Sequence, residues 1–185
     1  MITLTTPVAQ STILSLVCGD QVVFSGKLYT ARDAAHKRFM ECIEKGISLP
    51  VDLSGQIVYY TGPTPPKPGE AIGSAGPTTS SRMDRYTPRL IAMCGLRGII
   101  GKGNRSSEVI TALQENGCVY FAATGGAGAL LGERIKKARV VCYEDLGPEA
   151  VFELEVVDFP LIVAIDAKGT SCYVNGPQTW RREPD

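Results

Sequence analysis

A chain of 185 residues with 44% hydrophobic and 21% charged residues is long enough to bury a core and too apolar to stay disordered. Its 19 Lys+Arg balance 19 Asp+Glu, so no charge excess points to a nucleic-acid or acidic-membrane partner. No apolar run approaches the ~20 residues that cross a bilayer, and residues 1–10 lack the basic-then-apolar pattern of a secretion signal, so the expected location is the cytoplasm.

Taken in order, residues 1–6 alternate as a short edge strand ended by Pro7, and residues 21–29 form a β-rich run that reads as a strand. A helix is expected from Thr30, as its cap, to Gly46, with Ala35, Phe39, Cys42 and Ile43 on one face. Arg32 and Asp33 then fall in its first turn. A cation there opposes the helix dipole, so Arg32 is poorly placed for helix stability and becomes a candidate for a task, the alternative being a solvated arginine. Residues 56–60 read as a strand, followed by a proline-dense surface loop over 61–69.

Next comes Gly73-Ser74-Ala75-Gly76-Pro77-Thr78-Thr79-Ser80-Ser81-Arg82-Met83-Asp84. With a helix expected over 82–94, interrupted or kinked at Pro88, this loop would bring hydroxyls and backbone N–H groups to a helix N-terminus, where anions bind. Arg82 adds a planar fork suited to a carboxylate or phosphate. The bland alternative is a Ser/Thr-rich helix cap. Residues 98–101 form an apolar strand with Lys102 at its carboxyl end, where open α/β sheets hold ligands, and a helix is expected over 108–116. Gly101-Lys102-Gly103 lacks the spacing of a nucleotide P-loop. Residues 118–122 make another strand. The glycine-rich turn 124–129 opens a small-residue helix whose glycines fit close packing or a phosphate cradle. Strands follow over 138–143, 151–157 and 161–166, then a Lys168-Gly169 hairpin into a strand over 170–174 and a polar tail anchored by Trp180. The pattern predicts a single α/β domain over 1–185, with helices covering a mixed, partly parallel sheet.

Cys18, Cys42, Cys94, Cys118, Cys142 and Cys172 include no Cys-x-x-Cys and mostly sit in apolar surroundings. They are expected as buried reduced thiols, with no metal ligand in this chain, so that any metal centre is held by something else.

Three stretches resemble successive motifs of class I fumarases: Tyr29-Thr30-Ala31-Arg32-Asp33-Ala34-Ala35-His36-Lys37-Arg38, Gly76-Pro77-Thr78-Thr79-Ser80-Ser81-Arg82-Met83-Asp84, and Gly101-Lys102-Gly103. Tyr59-Tyr60-x-Gly62-Pro63, Asp145-Leu146-Gly147-x-Glu149-Ala150 and Ile165-Asp166-x-Lys168-Gly169 extend the likeness, in order, over nearly the whole chain. The resemblance is to the β subunit, or C-terminal domain, of the fumarase/tartrate dehydratase family. It implies a swivelling β/β/α domain and a hydro-lyase interconverting L-malate with fumarate and water. It also implies an α-subunit partner carrying a [4Fe–4S] cluster on three cysteines, with one iron open to the substrate as Lewis acid, in an α2β2 assembly. By motif position Arg32, Arg82 and Lys102 match the family's dicarboxylate-binding cations, Thr79 a further substrate contact, and Thr78 the proposed catalytic base, assisted by Lys102. Asp33 and Asp84 are expected to orient Arg32 and Arg82, and the lone histidine, His36, to bond Asp33 or the 73–84 loop.

Two neighbouring readings share these motifs: the β subunit of L(+)-tartrate dehydratase, and a non-catalytic assembly subunit whose partner does all the chemistry. A stand-alone phosphate or nucleotide binder using the 125–128 glycines is a third. Arg32-Asp33-Ala34-Ala35-His36 and Arg82-Met83-Asp84 resemble the fumarase versions more than the tartrate ones.

Overall fold

Four strands, β2 (Gln21–Thr30), β3 (Ile57–Tyr59), β4 (Gly98–Gly101) and β5 (Val119–Ala122), lie side by side and all run the same way. The computed structural model describes residues 1–182 of the chain. A parallel run of this kind leaves two unpaired edges, and unpaired backbone groups are costly wherever they are buried. β7 (Val151–Ile165) satisfies both edges, pairing antiparallel with β5 through Tyr120–Ala122 and with β2 through Gln21–Tyr29. The result is a small closed, barrel-like sheet with two appendages: β1 (Ile2–Thr5) parallel to the start of β2, and β6 (Ile135–Cys142) antiparallel to the first half of β7. The mixed, partly parallel α/β architecture is the one expected.

β7 is one fifteen-residue strand rather than the two expected. Between the two expected strands Asp158 takes a left-handed conformation (φ 52°) that bends the chain without ending the strand. Opposite, the pairing slips between Phe24 and Gly26, a β-bulge that turns the sheet back on itself. Gly26 sits at φ +126°, a region closed to side chains, and a Cβ there would collide with Thr6.

The sheet separates two apolar layers. Inside the barrel, Phe24, Leu28, Tyr59, Phe121, Phe159 and Val163 are fully buried. Outside it, α2 (Asp33–Glu44), α3 (Thr87–Cys94) and α4 (Ser107–Asn116) cover Val58, Tyr60, Ile99 and Tyr120. The strands are apolar on both faces and so read as continuous apolar runs, as parallel strands do.

Several local expectations change. A short helix, α1 (Gln10–Ser15), fills a stretch that carries no clear periodic signal. Thr30 stays in β2, its hydroxyl bonded to Ala150 O and Phe152 N, so Arg32 and not Thr30 is the residue capping α2. Pro88 starts α3 instead of kinking it, because a proline in the first turn loses no hydrogen bond there. The Lys168-Gly169 turn makes only a single bridge, Ile165 to Ser171, before α6 (Cys172–Trp180) begins; no strand forms over 170–174. Trp180 is 83% exposed and anchors nothing among the described residues, and residues 183–185 of the expected tail lie outside them. The six-thiol expectation also fails. Cys18 and Cys172 are disulfide-bonded with Cα atoms 6.1 Å apart, brought together where Gly19 and Ser171 flank the end of β7. Cys118 alone of the remaining four is fully buried.

Because Phe24 is fully buried inside the barrel beside the bulge, Phe24→Ala is expected to cost about 3–5 kcal/mol of unfolding free energy. Denaturant titration of the two chains measures it.

Candidate functional site

The carboxyl ends of β2, β3, β4 and β5 share one rim of the barrel, and each leads into a segment singled out by sequence. β2 leads to Arg32 and Asp33, β3 to the 73–84 loop, β4 to Lys102, and β5 to the glycine-rich turn. Ligands in parallel sheets bind at this end, because the connections there are free to vary and helix N-termini face it.

The 73–84 loop is held along its length. Thr64 brackets Gly73 and Ser74 with backbone and hydroxyl bonds of 2.8–3.1 Å. The Tyr59 hydroxyl donates to Ala75 O (2.6 Å), Thr61 Oγ1 donates to Gly76 O (2.7 Å), and the Thr78 N–H donates to Tyr60 O (2.7 Å). Thr79 then pairs as a parallel bridge with Lys102, and Ser80 N–H donates to Lys102 O (3.0 Å). Residues Ser80–Met83 form only a single 3₁₀ turn, so the expected helix N-terminus is replaced by a strand-like path that ends in a tight turn. Thr78 is half-buried and Thr79 exposed on this path.

Arg82 and α2 meet across the rim. Asp33 Oδ1 accepts from Arg82 Nε at 3.2 Å, and Oδ2 lies 2.7 Å from Nη2 as an ion pair outside hydrogen-bond alignment. Asp33 thus serves Arg82 rather than Arg32, because the first turn of α2 faces the Ser80–Met83 turn. Glu149 serves Arg32 instead: its carboxylate accepts the Ala34 N–H (2.9 Å) and lies 3.5 Å from Arg32 Nη2, while Arg32 Nε is buried without a partner. Gly62 makes the room, since a Cβ there would meet the Arg32 guanidinium. Glu149 appears in the sequence only as a motif match, with nothing to show that a residue 117 positions from Arg32 would reach it. Lys102 lies beside Gly125, and its ammonium has no carboxylate within ion-pair distance among the described residues.

Asp84 turns away from Arg82. Its oxygens accept from Arg105 Nε (2.7 Å) and Ser106 N (2.7 Å), tying the 73–84 loop to the turn after Lys102. Arg105 has no exposed side-chain surface, and nothing in the sequence around Asn104-Arg105-Ser106 distinguishes it from a solvated turn arginine. His36, expected to bond Asp33 or the loop, instead sets its Nδ1 2.7 Å from Arg32 O, one helical turn back. Its ring lies edge-on to Tyr60 and stacks on Tyr86. Burial pushes its pKa down to about 4, so the ring is neutral and donates from Nδ1 to that carbonyl.

The small residues of α5 (Gly128–Glu133) have a packing explanation. Gly128 O accepts the Ala75 N–H (2.9 Å), and side chains at Gly128 or Gly132 would run into residues 73–76. Among the described residues no group of three or more His, Cys, Asp or Glu side chains is arranged to hold a metal ion. No helix among them is long and apolar enough to cross a membrane.

The rim thus gathers Arg32, Arg82 and Lys102 on the connections that follow parallel strands of a closed mixed sheet. Residues 1–176 match the family model described as "Fumarase C-terminus", and the chain belongs to that family. A Methanocaldococcus jannaschii protein provisionally named L(+)-tartrate dehydratase subunit beta is 42% identical over 166 residues, covering 87% of this chain and 85% of that protein. Fumarate hydratase 2 of Leishmania major is 38% identical over 84% of this chain, and the aerobic class I fumarate hydratase of Salmonella typhimurium 37% identical over 80%. The aligned region is only 28% and 26% of those two longer proteins.

Neutral His36 links folding to pH. Between its unfolded value of 6.5 and about 4, the unfolded chain takes up a proton that the folded chain refuses, so stability falls as pH falls through that window. His36→Asn keeps an N–H donor for Arg32 O but cannot titrate. Urea titrations from pH 7 to 4 are expected to show the parent chain losing about 3 kcal/mol more than the variant.

Proposed function

We propose that this chain is the β subunit of a two-subunit class I fumarate hydratase, catalysing the reversible hydration of fumarate to L-malate together with an α-subunit partner that carries the [4Fe–4S] cluster. The observation that carries the reading is the set of three cations, Arg32, Arg82 and Lys102, on the connections that follow β2, β3 and β4 at one rim, with Thr78 on the same connection as Arg82. A dicarboxylate four carbons long needs a fixed cation at each end, and Arg82 and Lys102 are joined through the backbone bridge at Thr79. An α2β2 assembly and a cytoplasmic location belong to the same proposal.

In the malate-to-fumarate direction, Thr78 as alkoxide takes the C3 proton. The electron pair left behind delocalises into the adjacent carboxylate, and hydroxide departs from C2 as the double bond forms. Charge therefore grows on that carboxylate, where Arg82 and Lys102 would stabilise it, while Arg32 holds the other end and Thr79 adds a contact. A threonine hydroxyl is a weak base at its ordinary pKa, so this role requires its alkoxide to be stabilised, for which the Lys102 ammonium is the available cation. The remaining chemistry is assigned to the partner, and the chain alone is expected to be inactive.

A second reading, the β subunit of L(+)-tartrate dehydratase, draws on the Methanocaldococcus jannaschii relative, which this chain matches over most of both lengths. The two substrates differ by one hydroxyl on the same carbon skeleton, so the same cations would serve both.

The test is steady-state turnover of fumarate, malate and L(+)-tartrate by the complex of this chain with its α-type partner. Thr78→Ala is expected to lower kcat for fumarate about 10²–10⁴-fold, and Arg82→Ala and Lys102→Ala to lower kcat/KM about 100-fold or more. Tartrate turnover exceeding that of malate would reassign the substrate. Unchanged kcat in all three variants would leave this chain an assembly subunit only.

A further inference from the structure

We propose that Arg105 is a positioning residue for Lys102, its buried guanidinium locking the Lys102 turn to the 73–84 loop so that Lys102 and Arg82 keep one spacing. The inference rests on the dicarboxylate reading of the rim. Arg105 Nε donates to Asp84 Oδ1 (2.7 Å) and Nη2 to Thr87 Oγ1 (2.9 Å), so one planar group joins the turn after β4 to both ends of the segment linking Arg82 to α3. The guanidinium carbon lies 4.9 Å from the centre of the Tyr120 ring and 5.4 Å from that of Tyr60. The Tyr120 hydroxyl in turn lies 2.9 Å from Ser80 Oγ and 3.0 Å from Gly103 O; with one proton, it donates to one at a time. Ser80 Oγ accepts the Lys102 N–H at 3.1 Å. Both hydrogen bonds of the guanidinium therefore fall on the segment that follows Arg82, and the Tyr120 ring beside it carries a hydroxyl that reaches Ser80 and Gly103, on either side of the Thr79–Lys102 bridge.

A lysine cannot substitute. Its single ammonium does not present two donors in a fixed plane, so it cannot hold Asp84 and Thr87 while also lying against the Tyr60 and Tyr120 rings. Arg105 also keeps one buried nitrogen, Nη1, with no partner. An apolar residue would avoid that cost, so simple filling of the space does not account for an arginine here.

The experiment uses the α/β complex with Arg105→Lys, and Tyr120→Phe as a milder variant that keeps the ring and removes only the hydroxyl tie. Two quantities are read: amide hydrogen exchange of Lys102 relative to Ile99 and Ile100 in β4, and kcat and KM for fumarate. Expected for Arg105→Lys are exchange at Lys102 faster by about tenfold with Ile99 and Ile100 unchanged, and kcat lower by about 10- to 100-fold. In a Lys102→Ala background the same substitution is expected to add less than about twofold, since the two act as one unit. Tyr120→Phe gives the same pattern at smaller amplitude. Unchanged exchange at Lys102, faster exchange spread equally over β4, or a loosened Lys102 with unaltered kcat each overturns the proposal. If the parent complex turns over neither fumarate nor tartrate, the functional reading fails on its own, and the exchange ratio alone then decides whether Arg105 fixes this turn.

Discussion

Everything at the rim depends on β7 pairing with two strands at once. A parallel β2–β3–β4–β5 run has the right direction for a strand-end site but cannot exist as an open ribbon with both edges buried. One bent, bulged antiparallel strand closes it and brings the first and last parallel strands onto a common neighbour. The connections after β2, β3, β4 and β5 are thereby gathered around one opening instead of being strung along a line. Three of the four carry cations, and the fourth carries glycines whose helix packs under the loop between them.

Electrostatics at this opening is uneven. Arg82 and Arg32 each face a carboxylate of their own chain, Asp33 and Glu149, while Lys102 faces none among the described residues. Paired arginines are held in orientation at little net charge, and the more exposed Arg82–Asp33 pair is weakened by water screening. On the proposed reading, a substrate carboxylate would compete with Asp33 for Arg82 but meet an uncommitted Lys102. The two loops bearing them are joined by main-chain bonds rather than by side chains alone, which limits how far the cations can drift apart.

Much of this was legible in the sequence, for identifiable reasons. Apolar runs such as Gly98-Ile99-Ile100 announce buried strands, Gly46 (φ +66°) ends α2 as expected, and the motif order brought Arg32, Thr78, Arg82 and Lys102 to attention together. What stayed hidden was long-range. Nothing local to Thr30 reveals that Ala150 and Phe152 will claim its hydroxyl and keep it in a strand. The pairing of Asp84 with Arg105, and of Glu149 with Arg32, likewise follows from which turns the sheet brings together, not from spacing. Pro88 misled for a different reason: a proline forbids one hydrogen bond, and whether that bond was needed depends on where in the helix it falls.

The strand pairing that closes the barrel also sets when the site can exist. Gln21 must find Ile162, near the opposite end of the chain, before β2 and β5 share a neighbour. Contacts so distant in sequence are entropically expensive to form and come late and slowly in folding. A half-folded chain would present β-edges and loose loops but no assembled rim. Assembly of the rim and completion of the fold would then arrive in the same step, with little room for a folded chain whose rim is misassembled.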